Sequence, residues 1–356
     1  MNLSWKPSAK ISTWITSLLL ASIGYSKTLK LSDYCHERPA ECKTVTLKAS
    51  NGQVWKGYTV LVKNARVLEN GRVLDSLGRE ISDSGPSNAV KSYSAEMKEQ
   101  AKKYQSEHPS KKKKTVKVKG RLAVITKSGQ DNYFHWMIQV FPRIKILSEA
   151  KLPYDALLFH PLTRRFQKES VELAKIDSKK LRFYGDDEEL EVEEVLLTSI
   201  PYVTSQGWEE FPVWIHDFWD ALVPIDRDGN YPKHLLLSRN KALTRRIHNE
   251  GALLKEFPSF QSVILENYSL LQQANYFRNA EFIIAPHGAG LANLVFARPK
   301  TRFIELFDPS APNSVFKNLA RRLQIDYKSF VSSKTLEAFG IEAPIALIKE
   351  SMGGGT

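Results

Sequence analysis

The chain has 356 residues, a net charge of +12 and 42% hydrophobic residues, with a pI of about 9.4. That length accommodates two domains and the composition is globular, which excludes wholesale disorder. The basic balance points to a polyanion, an anionic membrane surface or a phosphorylated substrate.

Residues 1–30 form an apolar and basic N-terminal segment. Lys6 and Lys10 precede ISTWITSLLLASIGYS at 11–26. The apolar part is short and hydroxyl-rich for a bilayer span, and no small-x-small cleavage site stands out. It reads as a weak signal, an anchor, or an amphipathic or core helix. Cys35 and Cys42 in CHERPAEC are too few for a disulfide scaffold. Free thiols are the default reading, with a local disulfide if the protein is exported.

Residues 31–222 are expected to form a first α/β domain. Val45–Leu47, Tyr58–Val62 and Ala65–Leu68 carry strand patterns punctuated by Gly, Asn and Asp, as hairpins require. Residues 84–120 read as a Ser- and Lys-rich insertion ending in SKKKKTVKVKGR. This is a solvated loop and exposed strand edge, or an anionic membrane contact; without interleaved aromatics it is not a nucleic-acid site. Leu122–Thr126 is a buried strand. A helix follows over 131–150, capped by Asp131 or Asn132 and kinked or broken near Pro142. Strand Ala156–Phe159, helix 163–175, strand Val195–Leu197 and helix 211–222 continue the alternation, and the acidic run 186–194 reads as a solvated strand face.

VPIDRDGNYPK at 223–233 is read as a linker. Beyond it the rhythm is regular through 234–335: strands at 234–237, 262–265, 282–285, 302–307 and 325–330, helices at 246–256, 269–279, 289–296 and 314–323. Such alternation argues a parallel, doubly wound sheet. Residues 336–356 are a tail, of which the last six, SMGGGT, are expected to be disordered.

The chemistry concentrates in four clusters. In PHGAGL, Gly288 and Gly290 let a ligand approach the backbone, and the helix beginning at Ala289 offers free N–H groups to an anion; His287 can donate to the same phosphates or to a sugar hydroxyl. By itself this is equally a tight turn with a satisfied histidine. LLLSRNKALTRRIHNE, 235–250, brings Arg239, Arg245, Arg246, Asn249 and Glu250 to a strand end, and arginine forks suit a diphosphate; the plain alternative is a solvated basic helix start. Glu305, near the end of FIELF, is a candidate for ribose hydroxyls or a surface glutamate. In NYFHW, His135 sits in a first helical turn, where the dipole favours a neutral ring and hence a general base; next to Trp136 it is equally a packed histidine. Asp226-Arg227-Asp228 offers a metal motif in the wrong context, between linker prolines. No GxGxxG or GxxxxGK[ST] is present.

Taken in order, these clusters resemble glycosyltransferase family 61. The match consists of Asn132 to Trp136, Ser238-Arg239, Arg246, Asn249-Glu250, Gln273, His287 to Leu291, Asn293 and Ile304-Glu305. The resemblance implies a GT-B architecture of two Rossmann-like domains facing a cleft, with β-rich N-terminal additions. It implies an inverting, metal-independent enzyme without a cofactor, moving sugar from a nucleotide sugar, commonly a UDP-sugar, to a glycan or polysaccharide in cell-surface biosynthesis. The donor would be held by Arg239, Arg246, Asn249, Glu250, Gln273, His287, Gly288, Ala289, Gly290, Asn293 and Glu305. The acceptor side would hold Asn132, Trp136 and the base His135. One departure stands out: Gln139 replaces the acidic residue that relatives often carry four positions after the histidine. It opens a second reading, a non-catalytic nucleotide- or glycan-binding relative. The expected location is cytoplasmic, with or without association with a membrane surface. The sequon Asn267-Tyr268-Ser269 keeps the secretory lumen as the alternative.

Overall fold

The computed structural model describes residues 28–82, 113–185, 187–202, 210–310, 312–334 and 336–353. The apolar stretch 11–26 and most of the insertion 84–120 lie outside the described residues. Among the described residues no helix is long and apolar enough to cross a membrane.

The first sheet is mixed. Helix α1 (Leu31–Glu37) leads into β1 (Cys42–Lys48), which pairs antiparallel with β2 (Val54–Leu68). The two separate strand patterns of the sequence are one long strand, passing through Asn64 at positive φ. Then come β3 (Arg72–Leu74), β4 (Glu80–Ile81), β5 (Lys114–Val124), β6 (Ala156–Phe159), β7 (Leu181–Phe183) and β8 (Glu188–Thr198), in the order β4-β3-β2-β8-β5-β6-β7. The part built from β8, β5, β6 and β7 is parallel. Cys35 and Cys42 are joined by a disulfide, which corrects the free-thiol reading. The turn at Pro39–Glu41 doubles the chain back, bringing the two Cα atoms to 5.5 Å, within bridging distance.

The lysine strand is compensated locally. Lys114 and Lys117 lie in register opposite Glu188 and Glu191 of β8, and Arg121 pairs with Glu194. Opposite charges across a parallel pair stabilise both strands, so these lysines and the acidic run answer each other.

The second sheet is wholly parallel: β9 (His234–Leu237), β10 (Gln261–Val263), β11 (Phe282–Pro286), β12 (Arg302–Phe307) and β13 (Asp326–Val331), in the order β10-β9-β11-β12-β13. Its crossovers include α5 (Glu250–Glu256), α6 (Leu270–Asn279), a 3₁₀ helix (Ala289–Phe296) and α7 (Val315–Arg322); the helices of the first half are α2 (Arg143–Ala150), α3 (Arg165–Leu173) and α4 (Trp214–Leu222). The tail is structured as far as Gly353. Ile341 bridges Ile247, and α8 (Ile345–Gly353) buries Ile348.

Alternation within each strand divides the core. In β5, Leu122 and Val124 face α1 while Ala123 faces the other half; in the second sheet, Leu235, Leu237, Ile283 and Phe303 face that same shared cluster. The far face, with Leu236, Ile284 and Ile304, is covered by α5 and α8. The two sheets are thus mixed and parallel α/β layers joined by one continuous apolar cluster. Polar ties cross it as well: α3 accepts Leu270 N–H on Glu169 at 2.7 Å, and Arg278 reaches Asp220, Val223 and Pro224. These contacts pin residues 223–224 at the start of the 223–233 linker.

Arg143 is a buried hub of the first half. Its guanidinium donates to the carbonyls of Val124, Ile125 and Thr198 and to Thr198 Oγ1, at 2.7–3.2 Å. It thereby fills the crevice between the carboxyl ends of β5 and β8. Removing it leaves buried acceptors without donors, so Arg143→Leu is expected to destabilise the protein by about 3 kcal/mol. Urea unfolding of the two proteins checks this.

Candidate active site

In the second sheet the chain leaves β9 toward β10 on one side and returns to β11 on the other. This reversal opens a crevice at the strands' carboxyl ends, where α/β sheets bind ligands. A shallow open pocket lies there, lined by Ser238, Arg239, Glu266, Pro286, Gly288 and Gly290 over Leu237, Leu265 and Leu291.

Gly288 explains itself geometrically. A Cβ at this position would stand 2.4 Å from Arg239 Nη1, so any larger residue would displace the guanidinium from the turn. Arg239 Nε donates to Thr244 O at 3.2 Å. Burial, and then the neighbouring Arg245, push its guanidinium below the ordinary value, with Glu266 opposing; burial does the same to Arg245. Neither arginine has a carboxylate partner among the ion pairs of the described residues. Two half-buried cations side by side raise the local potential and favour an anion. The 3₁₀ helix opening at Ala289 adds N–H groups nearby.

Arg246 is placed differently. It is exposed, with Nε on Ala242 O at 2.6 Å. Arg245, at φ 59°, is the residue that turns inward beside Arg239. The sequence contained Arg245 in the cluster, but periodicity does not tell which of two adjacent arginines faces in.

Several residues expected to touch the donor are internal struts instead. Glu250 is buried and accepts from Ser238 Oγ and Ser262 Oγ at 2.9 and 2.8 Å, tying β9 to β10. Asn249 clamps the tail through both backbone groups of Ala343 at 2.8 Å. Gln273 donates to Leu265 O and Tyr268 O and accepts from Asn293. Asn293 in turn accepts from Tyr133 of the first half at 2.6 Å. Glu305 is fully buried, accepting His287 Nδ1–H at 2.6 Å and Tyr327 Oη–H at 2.9 Å. Both its oxygens serve the protein, which corrects its assignment to ribose hydroxyls. Trp136 is fully buried and donates to Ser170 Oγ at 3.1 Å; it is core, not acceptor surface. Asp226 accepts from the backbone of Asp228 and Gly229 and from Tyr231 Oη, a local turn. Among the described residues no group of three or more His, Cys, Asp or Glu side chains is arranged to hold a metal.

Glu266, missed by sequence reasoning, is the carboxylate that does line the pocket. It is exposed, just beyond β10. The signal that finds it is positional: an acidic residue after the second strand of such a sheet faces the crevice from the side opposite the glycine turn.

An aromatic path runs from His135 of the first half to His287, which lies between the pocket-lining Pro286 and Gly288. His135 lies 5.7 Å from Phe134 (ring centroids), Phe134 lies 5.7 Å from Phe316, and Phe316 lies 5.5 Å from His287. His135 heads a π-helix (His135–Val140) that ends before Pro142. The widened turn replaces the kink expected there and accommodates a ring that has no N–H. Asn132 caps this start, accepting Phe134 N–H at 2.9 Å. Burial, then Lys127, lower the His135 pKa to about 4. The ring is therefore neutral at neutral pH and able to accept a proton.

Glu305→Ala would leave His287 and Tyr327 without their shared acceptor and open a small cavity. Guanidinium unfolding is expected to register a loss of about 3 kcal/mol. A loss under about 1 kcal/mol would mean that Glu305 is not the strut described.

No curated protein matches the chain. The family model described as Glycosyltransferase 61 matches residues 133–304, which run from Tyr133 of the first half through both arginines and the glycine turn to Ile304. That segment is similar to the glycosyltransferase 61 family.

Proposed function

We propose that the protein is an inverting glycosyltransferase of GT-B type. A nucleotide sugar, in the first instance a UDP-sugar, binds the second half, 234–335. The first half, 31–222, presents a glycan or polysaccharide acceptor across the junction. The observation that carries this reading is Arg239, with no carboxylate ion pair among the described residues, lying against Gly288 at the reversal point of the parallel sheet, with the charge of Arg245 near enough to act on it. Planar guanidinium forks suit a diphosphate.

The chemistry then follows from charge. The acceptor oxygen attacks the anomeric carbon from the face opposite the diphosphate, and its proton passes to His135 Nε2. The bond from the anomeric carbon to the diphosphate oxygen breaks, and its electron pair leaves with the nucleoside diphosphate. Arg239, Arg245 and the 287–290 turn stabilise that developing charge, a task preorganised donors do best. No metal or cofactor is assigned a role. His287, braced by Glu305, faces Asn313 through Nε2 at 3.0 Å and shapes the turn.

A cell-surface polysaccharide is the proposed product. The Cys35–Cys42 bond supports the secretory lumen over the cytoplasm as the site of action, since disulfides persist in oxidising compartments. Gln139 favours a second reading, a binding relative that does not turn over. Turnover by the wild type, lost in His135→Ala with nucleotide affinity intact, separates the two.

Thermal unfolding with UDP, GDP and CMP, each without and with EDTA, tests the donor site. A nucleotide at about a hundred times its dissociation constant should stabilise the protein by about 2.7 kcal/mol. The expected result is a UDP-specific shift that survives EDTA and is lost in Arg239→Ala. No shift with any nucleotide would sink the assignment.

A further inference from the structure

Gln139 has an orientation that its surroundings leave no freedom to change. Its Nε2 donates to the carbonyl of Tyr202 at 2.7 Å. Its Oε1 faces Lys127 Nζ at 3.2 Å and His135 Nδ1 at 2.6 Å. A carbonyl only accepts and an ammonium only donates. A flipped amide would set oxygen against oxygen at Tyr202 and NH₂ against ammonium at Lys127. The oxygen therefore points at His135, and a ring nitrogen 2.6 Å from a fixed acceptor must carry the hydrogen. Nδ1 is the protonated nitrogen and Nε2 holds the lone pair. Gly129, at φ +81°, passes this edge of the ring: a Cβ there would stand 3.0 Å from His135 Cδ2 and 3.6 Å from Nε2.

We propose that Lys127 and Gln139 are positioning residues for His135: Lys127 holds the Gln139 amide oxygen toward the imidazole, which fixes the ring with Nδ1 protonated and Nε2 as the proton acceptor. This rests on the reading of His135 as the base. An acidic residue in place of Gln139 would fix the same tautomer but would also attract the imidazolium. The glutamine fixes the tautomer without that attraction, and Lys127 adds repulsion. The charged groups on this side of the ring are Lys127, from the loop after β5, and Arg143 of α2 behind it. Among the described residues, no carboxylate forms a hydrogen bond or ion pair with either Lys127 or His135.

The electrostatics agree with the geometry. Burial, then Lys127, lower His135 to about 4, with the Gln139 bond opposing. Burial, then Arg143, lower Lys127 to about 8. The sign follows directly. Below about pH 8 the ammonium is charged and disfavours the imidazolium. As pH rises through about 8 the charge is lost, the repulsion falls, and Nε2 becomes a stronger proton acceptor.

The test is a ¹⁵N NMR titration of the histidine rings in the full chain, with His135→Gln identifying the signal. The wild type should show the Nδ1–H tautomer and titrate near pH 4. Lys127→Met should move the midpoint from about 4 toward the ordinary histidine value, while Lys127→Arg keeps it low. Gln139→Leu should shift the ring toward Nε2–H, and Gln139→Glu should keep Nδ1–H with a raised midpoint. A wild-type ring in the Nε2–H form overturns the proposal. So does an unchanged midpoint in Lys127→Met, or a retained Nδ1–H tautomer in Gln139→Leu. Where Lys127→Met or Gln139→Leu fails to fold, Gln139→Glu decides, and an unmoved midpoint there refutes it. No substrate enters this measurement, so it fails or stands separately from the transferase reading, which the turnover of His135→Ala addresses.

Discussion

The crevice between β9 and β11 is the constraint on which the site depends. A parallel sheet whose strand order reverses must leave a gap at the carboxyl ends of the two strands flanking the reversal. Here that gap is framed by Ser238-Arg239 after β9 and by Pro286 to Gly290 after β11. The Arg239 guanidinium lies against Gly288 within it. The first sheet has the corresponding gap between β5 and β8, but Arg143 fills it with four hydrogen bonds. The two halves thus use arginine oppositely. Arg143 is consumed by carbonyls and builds structure, whereas Arg239 has one carbonyl contact and keeps its charge available.

The same division runs through the motif residues. Asn249, Glu250, Gln273, Asn293 and Glu305 spend their polar atoms on the protein. Three of them brace elements beside the pocket: Glu250 the end of β9, Asn293 the first turn of the 3₁₀ helix, Glu305 the ring of His287. A buried polar network of this kind is costly when broken and rigid when complete. The chain from Tyr133 through Asn293 to Gln273 carries that rigidity from the first half into the second. The shared apolar cluster does the same over a wider area.

Much of this was legible in the sequence. The parallel second sheet came from strands alternating with helices, and β9, β11 and β12 lie almost where the apolar runs put them. The turn at 287–290 and the break near Pro142 fall where the glycines and the proline marked them. What was not legible is which way a side chain faces once elements pack. Strand-end carboxylates look alike in one dimension; Glu305 is buried by Tyr327 of the neighbouring strand, while Glu266 lies open at the pocket. Arg245 and Arg246 differ only in a left-handed backbone turn. The Cys35–Cys42 bond depended on a doubled-back chain that spacing alone does not fix.

The central proposal is that Arg239 and Arg245, rather than Arg246, hold the anionic part of the donor. Isothermal titration of UDP into wild type, Arg245→Ala and Arg246→Ala tests it most directly. The account predicts at least a tenfold loss of affinity in Arg245→Ala, about 1.4 kcal/mol, and an affinity near wild type in Arg246→Ala. The reverse pattern, with Arg246 needed and Arg245 dispensable, would contradict it.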